Sequence, residues 1–157
     1  MPEVLTRPYA PTDLAACLAV FDGNVPDFFS PAEREEFRAH LLALPDAAPA
    51  YLVLTHAGAV VACGGVTAGD KQGDARLVWG MVARDWHGRG LGRRLLRERL
   101  AVGRSLSGLR TVSLSTSQHT RGFYEGEGFV LTRVVADGFG AGLDQCDMVL
   151  TLSPGGG

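Results

Sequence analysis

The chain has 157 residues, of which 46 % are hydrophobic and 20 % charged, and its formal net charge is −2 at pH 7. This length and composition are typical of one soluble globular domain that buries its own core without disulfide support. The slightly acidic balance argues against a general nucleic-acid surface, because affinity for nucleic acid comes largely from neutralising phosphates.

The three cysteines, Cys17, Cys63 and Cys146, are far apart in the sequence and lie in apolar surroundings. Their spacing fits neither a zinc site nor a disulfide framework, so we expect no bound metal and a reducing, cytoplasmic location. The sequence has no basic-then-apolar leader and no run of about eighteen apolar residues, so we expect neither a secretion signal nor a membrane span.

The hydrophobic pattern switches repeatedly between strand and helix periods. In chain order it predicts a strand at 4–7 closed by Pro8, a helix at about 14–21 capped by Thr12–Asp13, a helix from the capping box Ser30–Glu33 to about Leu44, strands at 51–55, 60–66 and 76–82, a helix at 91–106, a strand at 111–116, a helix at about 118–127, and strands at 129–136 and 145–152 joined by a glycine-rich connection at 138–142. This order predicts an α/β fold, a mixed sheet of about seven strands flanked by about four helices. We expect one domain over residues 1–152 and a disordered tail at 153–157.

Two features of these elements are unusual. Gly64, Gly65 and Gly80 lie inside predicted strands, which marks either a bulge or a place where something approaches the backbone closely. Arg99 falls within the apolar arc of the third helix, where the pattern predicts no more than a snorkelling stem.

The clearest functional signal is the stretch Trp86–Leu96, in which glycines at 88, 90 and 92 stand between an apolar strand and an amphipathic helix. Glycines at a helix start leave backbone amides accessible, and the helix dipole adds positive charge there, so phosphate is the natural ligand. Arg89, Arg93 and Arg94 add charge and forked donors around the same point. The Walker A and G-x-G-x-x-G patterns are both absent. The alternative is a glycine-rich turn that merely lets the helix pack tightly.

This stretch resembles the acetyl-coenzyme A loop of the GCN5-related N-acetyltransferases (GNAT), Gln/Arg-x-x-Gly-x-Gly/Ala, which here reads His87-x-x-Gly90-x-Gly92. A second GNAT motif, Asn-x-x-Ala-x-x-Phe-Tyr-x-x-x-Gly-Phe, is similar to residues 117–129. The aromatic pair and the final Gly-Phe match, whereas Ser117 and Thr120 replace the usual Asn and Ala. The order of elements matches the family over nearly the whole length.

The resemblance implies a GNAT fold in which the fourth and fifth strands splay apart and hold the pantetheine arm of acetyl-CoA, the expected cosubstrate. The cofactor-binding residues that it implies are Gly80, Met81, Val82, His87, Gly88, Arg89, Gly90, Leu91, Gly92, Arg93, Ser117 and Tyr124. Tyr124 would be the catalytic residue that protonates the departing thiolate. The backbone N–H of Val82 or Met81 would stabilise the oxyanion.

The acceptor would enter from the opposite side of the gap. Its expected binding residues are Asn24, Phe28 and Phe29, with Phe139 and Leu143 on the last connection. A hydrophobic staple is an equal alternative for Phe28–Phe29. The general base is left open among Asp144, Asp147, Glu33, Glu36 and His119. Cys146 could act as a nucleophile, but a lone cysteine in an apolar strand usually packs, so we expect direct transfer.

We therefore expect an acetyl-CoA-dependent N-acetyltransferase that transfers an acetyl group directly to a primary amine. A small molecule or amino acid is the expected acceptor, because no strongly acidic groove suits a polycationic one. We expect no nucleic-acid or membrane partner, and the sequence leaves a homodimer open. The alternatives are a protein N-terminal or lysine acetyltransferase, and a non-catalytic acyl-CoA sensor that keeps the loop without needing Tyr124.

Overall fold

The computed structural model describes residues 3–45, 48–106 and 108–152. The elements in chain order are β1 (Val4–Tyr9), α1 (Leu14–Asp22), α2 (Glu33–Leu42), β2 (Ala48–His56), β3 (Ala59–Ala68), β4 (Asp74–Val82), α3 (Leu91–Leu106), β5 (Thr111–Thr116), α4 (Arg121–Gly126), β6 (Val130–Gly140) and β7 (Leu143–Thr151). The predicted α/β class, strand and helix order and mixed sheet are confirmed. The predicted tail at 153–157 lies outside the described residues.

The seven strands form one sheet in the order β1-β2-β3-β4-β5-β7-β6. Strands β4 and β5 are parallel, and they pair through just three positions, from Asp74–Thr111 to Arg76–Ser113. Beyond Arg76 the two strands separate and leave a gap in the middle of the sheet. Both strands continue past this point, to Val82 and Thr116, so their facing edges border the gap.

Helices cover both faces of the sheet. Because side chains alternate along a strand, Val53 packs in the core under α1 and α2, whereas its neighbour Leu54 packs under α3. The α1–α2 face is rich in aromatic side chains such as Phe21 and Phe37, and the α3–α4 face is mainly aliphatic. None of the helices in the described ranges is both long and apolar enough to cross a lipid bilayer.

Strand β4 carries a bulge beside the gap. Between the pairs Cys63–Met81 and Gly65–Val78, β3 contributes one residue, Gly64, and β4 contributes two, Trp79 and Gly80. Trp79 adopts a φ of 47°, a left-handed conformation that non-glycine residues rarely take. The bulge predicted from the strand glycines is therefore present, and such bulges bend a strand and re-aim its neighbours.

Arg99 occupies the space that these glycines leave. A Cβ atom on Gly80 would lie 2.7 Å from Nη1 of Arg99, and one on Gly64 would lie 3.3 Å from its Cδ. Arg99 is 2 % exposed. The predicted snorkelling stem is therefore wrong, because α3 lies flat on β3 and β4 here and the missing side chains admit the whole guanidinium.

The predicted helix starts were partly wrong. The predicted capping box before α2 forms only in part: Glu33 accepts a hydrogen bond from the Ser30 amide at 2.8 Å, but the Ser30 hydroxyl accepts from Ala32 at 3.2 Å and not from Glu33, where α2 begins. Asp13 does not cap α1. Its carboxylate instead accepts from the Ala10 amide and pairs with Arg7, which closes a 3-10 turn ahead of the helix.

Most other elements differ from the prediction by one to three residues at an end, and three differences have a clear physical reason. Strand β1 runs through Pro8 to Tyr9, because an edge strand tolerates a residue without an amide donor. Helix α4 begins only at Arg121, after a turn that starts at Ser117. The predicted connection at 138–142 mostly belongs to β6, which reaches Gly140 through an irregular register.

Candidate active site

A cavity of about 1060 Å³ fills the gap between β4 and β5. Its walls include Leu95 and Arg99 from α3 on one face of the sheet, and Asn24, Phe28 and Glu33 from the α1–α2 side on the other. Since residues from both faces line one cavity, the cavity passes through the sheet. Two molecules that approach from opposite faces can therefore meet inside it.

Residues 88–93 comprise the end of the β4–α3 connection and the first three residues of α3; they lie at one end of the cavity and are called the glycine loop below. Gly88 and Gly90 adopt φ values of +76° and +83°, which favour glycine. A Cβ atom at either position would meet nothing within 4 Å. Backbone conformation rather than tight packing therefore requires these two glycines, so the packing alternative does not explain them.

The amides of the glycine loop are free of protein acceptors. The first hydrogen bond of α3 runs from the Arg94 amide to the Gly90 carbonyl at 3.1 Å. Over the described ranges, no backbone or side-chain oxygen of the protein accepts from the amides of residues 88–93. A helix start with unpaired amides carries about half a positive charge, which makes it an anion site.

The arginines near the glycine loop are engaged elsewhere. Arg93 pairs with Glu127 at 2.6 Å, and Arg94 donates to the Thr6 hydroxyl at 3.2 Å. Arg89 stacks on Trp86, with its guanidinium carbon 4.6 Å from the ring centre, and it does not line the cavity. These three guanidinium groups have protein partners of their own, so the unpaired backbone amides are the feature that makes this segment a candidate anion site.

The end of β4 is held by two side chains that meet at one carbonyl. Asn24 donates its amide to the carbonyls of Val20 and Val82, both at 2.9 Å, and His87 Nε2 lies 2.8 Å from the same Val82 oxygen. Asn24 is buried. Its side-chain nitrogen is thus committed to the backbone and positions β4, while Asn24 also lines the cavity, so acceptor binding by this residue stays a prediction.

The direction of the Val82 amide follows from the neighbouring hydrogen bond. The Ala83 amide donates to the Val61 carbonyl on β3 at 2.8 Å. Successive amides along a strand point to opposite edges, so the Val82 amide points away from β3 and toward the gap. Of the two predicted oxyanion donors, Val82 has the suitable orientation and Met81 does not.

Tyr124 and Ser117 lie on the β5–α4 side of the cavity. Tyr124 is half-buried and packs edge-on against Phe123 and Phe129, with ring centres 5.0 and 5.5 Å away. Buried Ser117 organises the turn before α4, where its carbonyl accepts from Thr120 and Arg121 and its hydroxyl accepts from His119. The second sequence motif therefore forms a wall of the cavity.

Aromatic residues form the opposite opening. Phe28 lies between two histidine rings, His87 at 5.2 Å and His119 at 6.1 Å. Phe29 instead packs into the core against Phe21 at 4.9 Å. Both phenylalanines line the cavity, as does Phe139, but Leu143 is buried in the core and does not.

The structure separates the five candidate bases. Glu33, Glu36 and His119 line the cavity, whereas Asp144 and Asp147 do not. Burial raises the pKa of the Glu33 carboxyl above its ordinary value, the hydrogen bond from the Ser30 amide lowers it, and nearby Glu36 raises it further.

Cys146 is 1 % exposed and lies outside the cavity. Burial raises the pKa of its thiol, which disfavours the thiolate that a nucleophile needs. The surroundings of Cys146 therefore support a role in core packing, as expected for a cysteine in an apolar strand.

The comparisons with known proteins agree with this geometry. A family model described as the acetyltransferase (GNAT) family matches residues 17–129. A Desulfovibrio desulfuricans protein assigned to the GNAT family matches with a TM-score of 0.78 and 27 % identity, over 96 % of this chain and 100 % of that one. No curated protein matches the sequence significantly.

Two other solved structures show likeness of fold alone. The ribosomal-protein-S18-alanine N-acetyltransferase from Escherichia coli matches with a TM-score of 0.76 and 20 % identity, over 96 % of this chain and 95 % of that one. The Salmonella typhimurium protein yncA, with its cofactor acetyl-CoA, matches with a TM-score of 0.70 and 19 % identity, over 96 % and 95 %. The family match covers most of the sheet, the glycine loop and α4, and the chain therefore belongs to the GNAT family of N-acetyltransferases.

Proposed function

We propose that the chain transfers an acetyl group from acetyl-CoA directly to the primary amine of a small molecule or amino acid. One observation carries the proposal: unpaired amides at residues 88–93 stand at one end of a cavity that follows the open edge of β4 and also contains Tyr124. An anion site for a diphosphate and a channel for its extended arm are thus continuous.

The residues present fit the coenzyme. The glycine loop offers amides without Cβ atoms in front of them, which suits a diphosphate. The open edge of β4 offers the Val82 amide to a polar group of the pantetheine arm or to the acyl oxygen. Acetyl-CoA supplies the acetyl group already activated as a thioester.

Two groups are placed to stabilise the negative charge that develops on the acyl oxygen and on the departing sulfur. The Val82 N–H donates to the acyl oxygen as negative charge develops there. Asn24 and His87 hold the carbonyl oxygen of the same residue in place, so the donor does not need to reorganise. The Tyr124 hydroxyl gives a proton to the departing sulfur.

Glu33 is the general base that the geometry supports best. It lines the cavity from the α1–α2 side, opposite α3, where the acceptor would enter. An alkylammonium ion must lose a proton before it can attack, and a carboxylate with a raised pKa accepts that proton more readily than an ordinary one.

The hairpin of β6 and β7 supports a small acceptor. A Cβ atom on Gly140 would lie 3.1 Å from Ser30, so the hairpin tip packs against the start of α2. Gly138 and Phe139 of the same hairpin line the cavity. This contact narrows the acceptor side to an opening that suits a small amine better than a folded protein.

A screen of amines and peptides against acetyl-CoA, followed by the release of CoA thiol, tests the proposal. We expect turnover with at least one small primary amine or amino acid. Turnover with peptides alone would favour a protein acetyltransferase. Tight CoA binding without turnover of any acceptor would instead favour an acyl-CoA sensor.

A further inference from the structure

Arg99 is a buried cation without a protein counterion. It is 2 % exposed, and its Nε atom is buried without a hydrogen-bond partner. No ion pair found among the described residues includes it. An unpaired buried charge is costly for folding, so a guanidinium kept in such a place calls for a ligand that offsets its charge.

The Arg99 guanidinium lies deep in the cavity, on the wall that faces away from the acceptor opening. It is just over two turns into α3, about 12 Å along the helix from its first residue, Leu91. Its terminal nitrogens lie against the Gly80 backbone at the β4 bulge, and the residue lines the cavity. The carboxylates that line the same cavity, Glu33 and Glu36, come from α2 on the other face of the sheet.

With a diphosphate at the glycine loop, this position would lie near the acyl end of a bound thioester. Moving inward from the glycine loop, the gap passes Val82 and then Gly80, and it closes where Arg76 pairs with Ser113. If the diphosphate binds at the glycine loop, the reacting end of the coenzyme lies further inward, near the bulge. An acyl chain that extends past the thioester on the α3 face then approaches Arg99.

We propose that Arg99 binds a carboxylate at the far end of the acyl group. The protein would then prefer CoA thioesters of dicarboxylic acids, such as succinyl-CoA, to uncharged donors of similar length. The inference rests on the proposed function, since it requires a CoA thioester in the cavity. A guanidinium fork matches a carboxylate and neutralises it in a site shielded from water. An acetyl group offers Arg99 no anion, which leaves the buried charge unpaired.

The transfer is chemically the same for either donor. The C–N bond to the acceptor amine forms as the C–S bond of the thioester breaks. Glu33 first passes the ammonium proton to solvent; as the neutral amine attacks, Glu33 takes its second proton, the thiolate takes a proton from Tyr124 to give CoA, and the proton on Glu33 returns to Tyr124 through solvent. The terminal carboxylate keeps its charge throughout and remains on Arg99 until the product leaves.

Calorimetric titration with CoA, butyryl-CoA and succinyl-CoA tests the inference without a known acceptor. We expect the native chain to bind succinyl-CoA roughly ten- to a hundredfold more tightly than butyryl-CoA, as charge-assisted hydrogen bonds allow. Arg99→Met should remove this preference and leave the affinity for CoA unchanged, and Arg99→Lys should keep part of it. The control Arg104→Met removes an exposed arginine of the same helix and should change nothing.

Thermal unfolding distinguishes a ligand-binding role of Arg99 from a role in stabilising the fold. If Arg99 is kept for a ligand, Arg99→Met should unfold at the same or a higher temperature than the native chain, because it removes an unpaired buried charge. Equal affinity of the native chain for butyryl-CoA and succinyl-CoA would overturn the inference, even if the variants failed to fold. Failure of CoA itself to bind would instead overturn the proposed function.

Discussion

Tyr124 lines the cavity with its ring fixed between Phe123 and Phe129, so a change at its hydroxyl should act on the reaction and not on the fold. We expect Tyr124→Phe to lower kcat by roughly a hundredfold or more, the usual range for loss of a general acid. The Kd for acetyl-CoA should stay within a few-fold of the native value.

A matched control for this variant is Tyr9→Phe, which removes the same hydroxyl from a tyrosine buried in the α1–α2 core. Its kcat should be close to that of the native chain. Unchanged turnover of every accepted amine by Tyr124→Phe would rule out the proton-donor role.

The proposed general base, Glu33, predicts that the rate depends on pH. Because burial raises its pKa, the ionised base accumulates only at a higher pH than for an exposed glutamate, and kcat/KM should rise through that pKa as the carboxyl loses its proton. Glu33→Gln should abolish this acidic limb and lower kcat/KM. A pH–rate profile that keeps the same acidic limb in the variant would assign the base to another group.

The raised pKa of Glu33 also predicts a change in stability. A carboxyl with a raised folded-state pKa stabilises the fold at low pH, where it is protonated, and this contribution is lost as the pH rises through the folded-state pKa. Glutamine can still accept the hydrogen bond from Ser30. The free energy of unfolding of Glu33→Gln minus that of the native chain should therefore be more favourable to the variant at pH 7 than near pH 3. Denaturant unfolding of both proteins at both pH values measures this difference.

At the scale of elements, the glycine loop tests whether backbone amides bind the coenzyme. We expect Gly90→Val to raise the Kd for CoA at least tenfold, because the side chain would stand before the amides and would disfavour the φ of +83°. Gly58→Val is the matched control, since Gly58 has a φ of +85° and equally open surroundings in the turn between β2 and β3.

Both variants should lose similar stability from the same backbone strain, and Gly90→Val alone should lose affinity in a calorimetric titration. Undiminished binding by Gly90→Val would show that the diphosphate lies elsewhere. An equal loss of affinity in both variants would mean that strain, rather than the glycine loop, weakens binding.

The sequence predicted the elements best where one period ran through a whole segment. Helix α3 was predicted at its observed bounds because its leucines face one side over sixteen residues. Strand β6 was cut short because glycines at 138 and 140 look like a loop, although pairing with β7 extends the strand through them. Local propensity does not report such pairing, which explains the error.

The site was also predicted in part. Of the expected cofactor residues, all but Arg89 line the cavity, since the two motifs fix which elements border it. The positioning role of Asn24 was missed, because its partner Val82 lies far along the chain. The sequence showed that Arg99 is a charge within an apolar helix face and that two neighbouring strands contain glycines. Only the structure shows that the guanidinium lies against Gly80.

At the scale of the molecule, the candidate site is built around the gap between β4 and β5. Three pairs join β4 to β5, and beyond them one cavity connects the α3–α4 face with the α1–α2 face. The glycine loop, the Val82 amide and Tyr124 border this cavity, and Glu33 and Phe28 line its other side. This arrangement supports the proposed direct transfer, in which donor and acceptor bind from separate faces of the sheet.

A crystal structure of the chain with bound CoA tests the central claim most directly. We expect diphosphate oxygens within hydrogen-bonding distance of the amides of residues 88–93, the pantetheine arm along the open edge of β4, and the sulfur next to the Tyr124 hydroxyl. A coenzyme bound outside the gap, or a diphosphate held by side chains while those amides contact only water, would contradict the account.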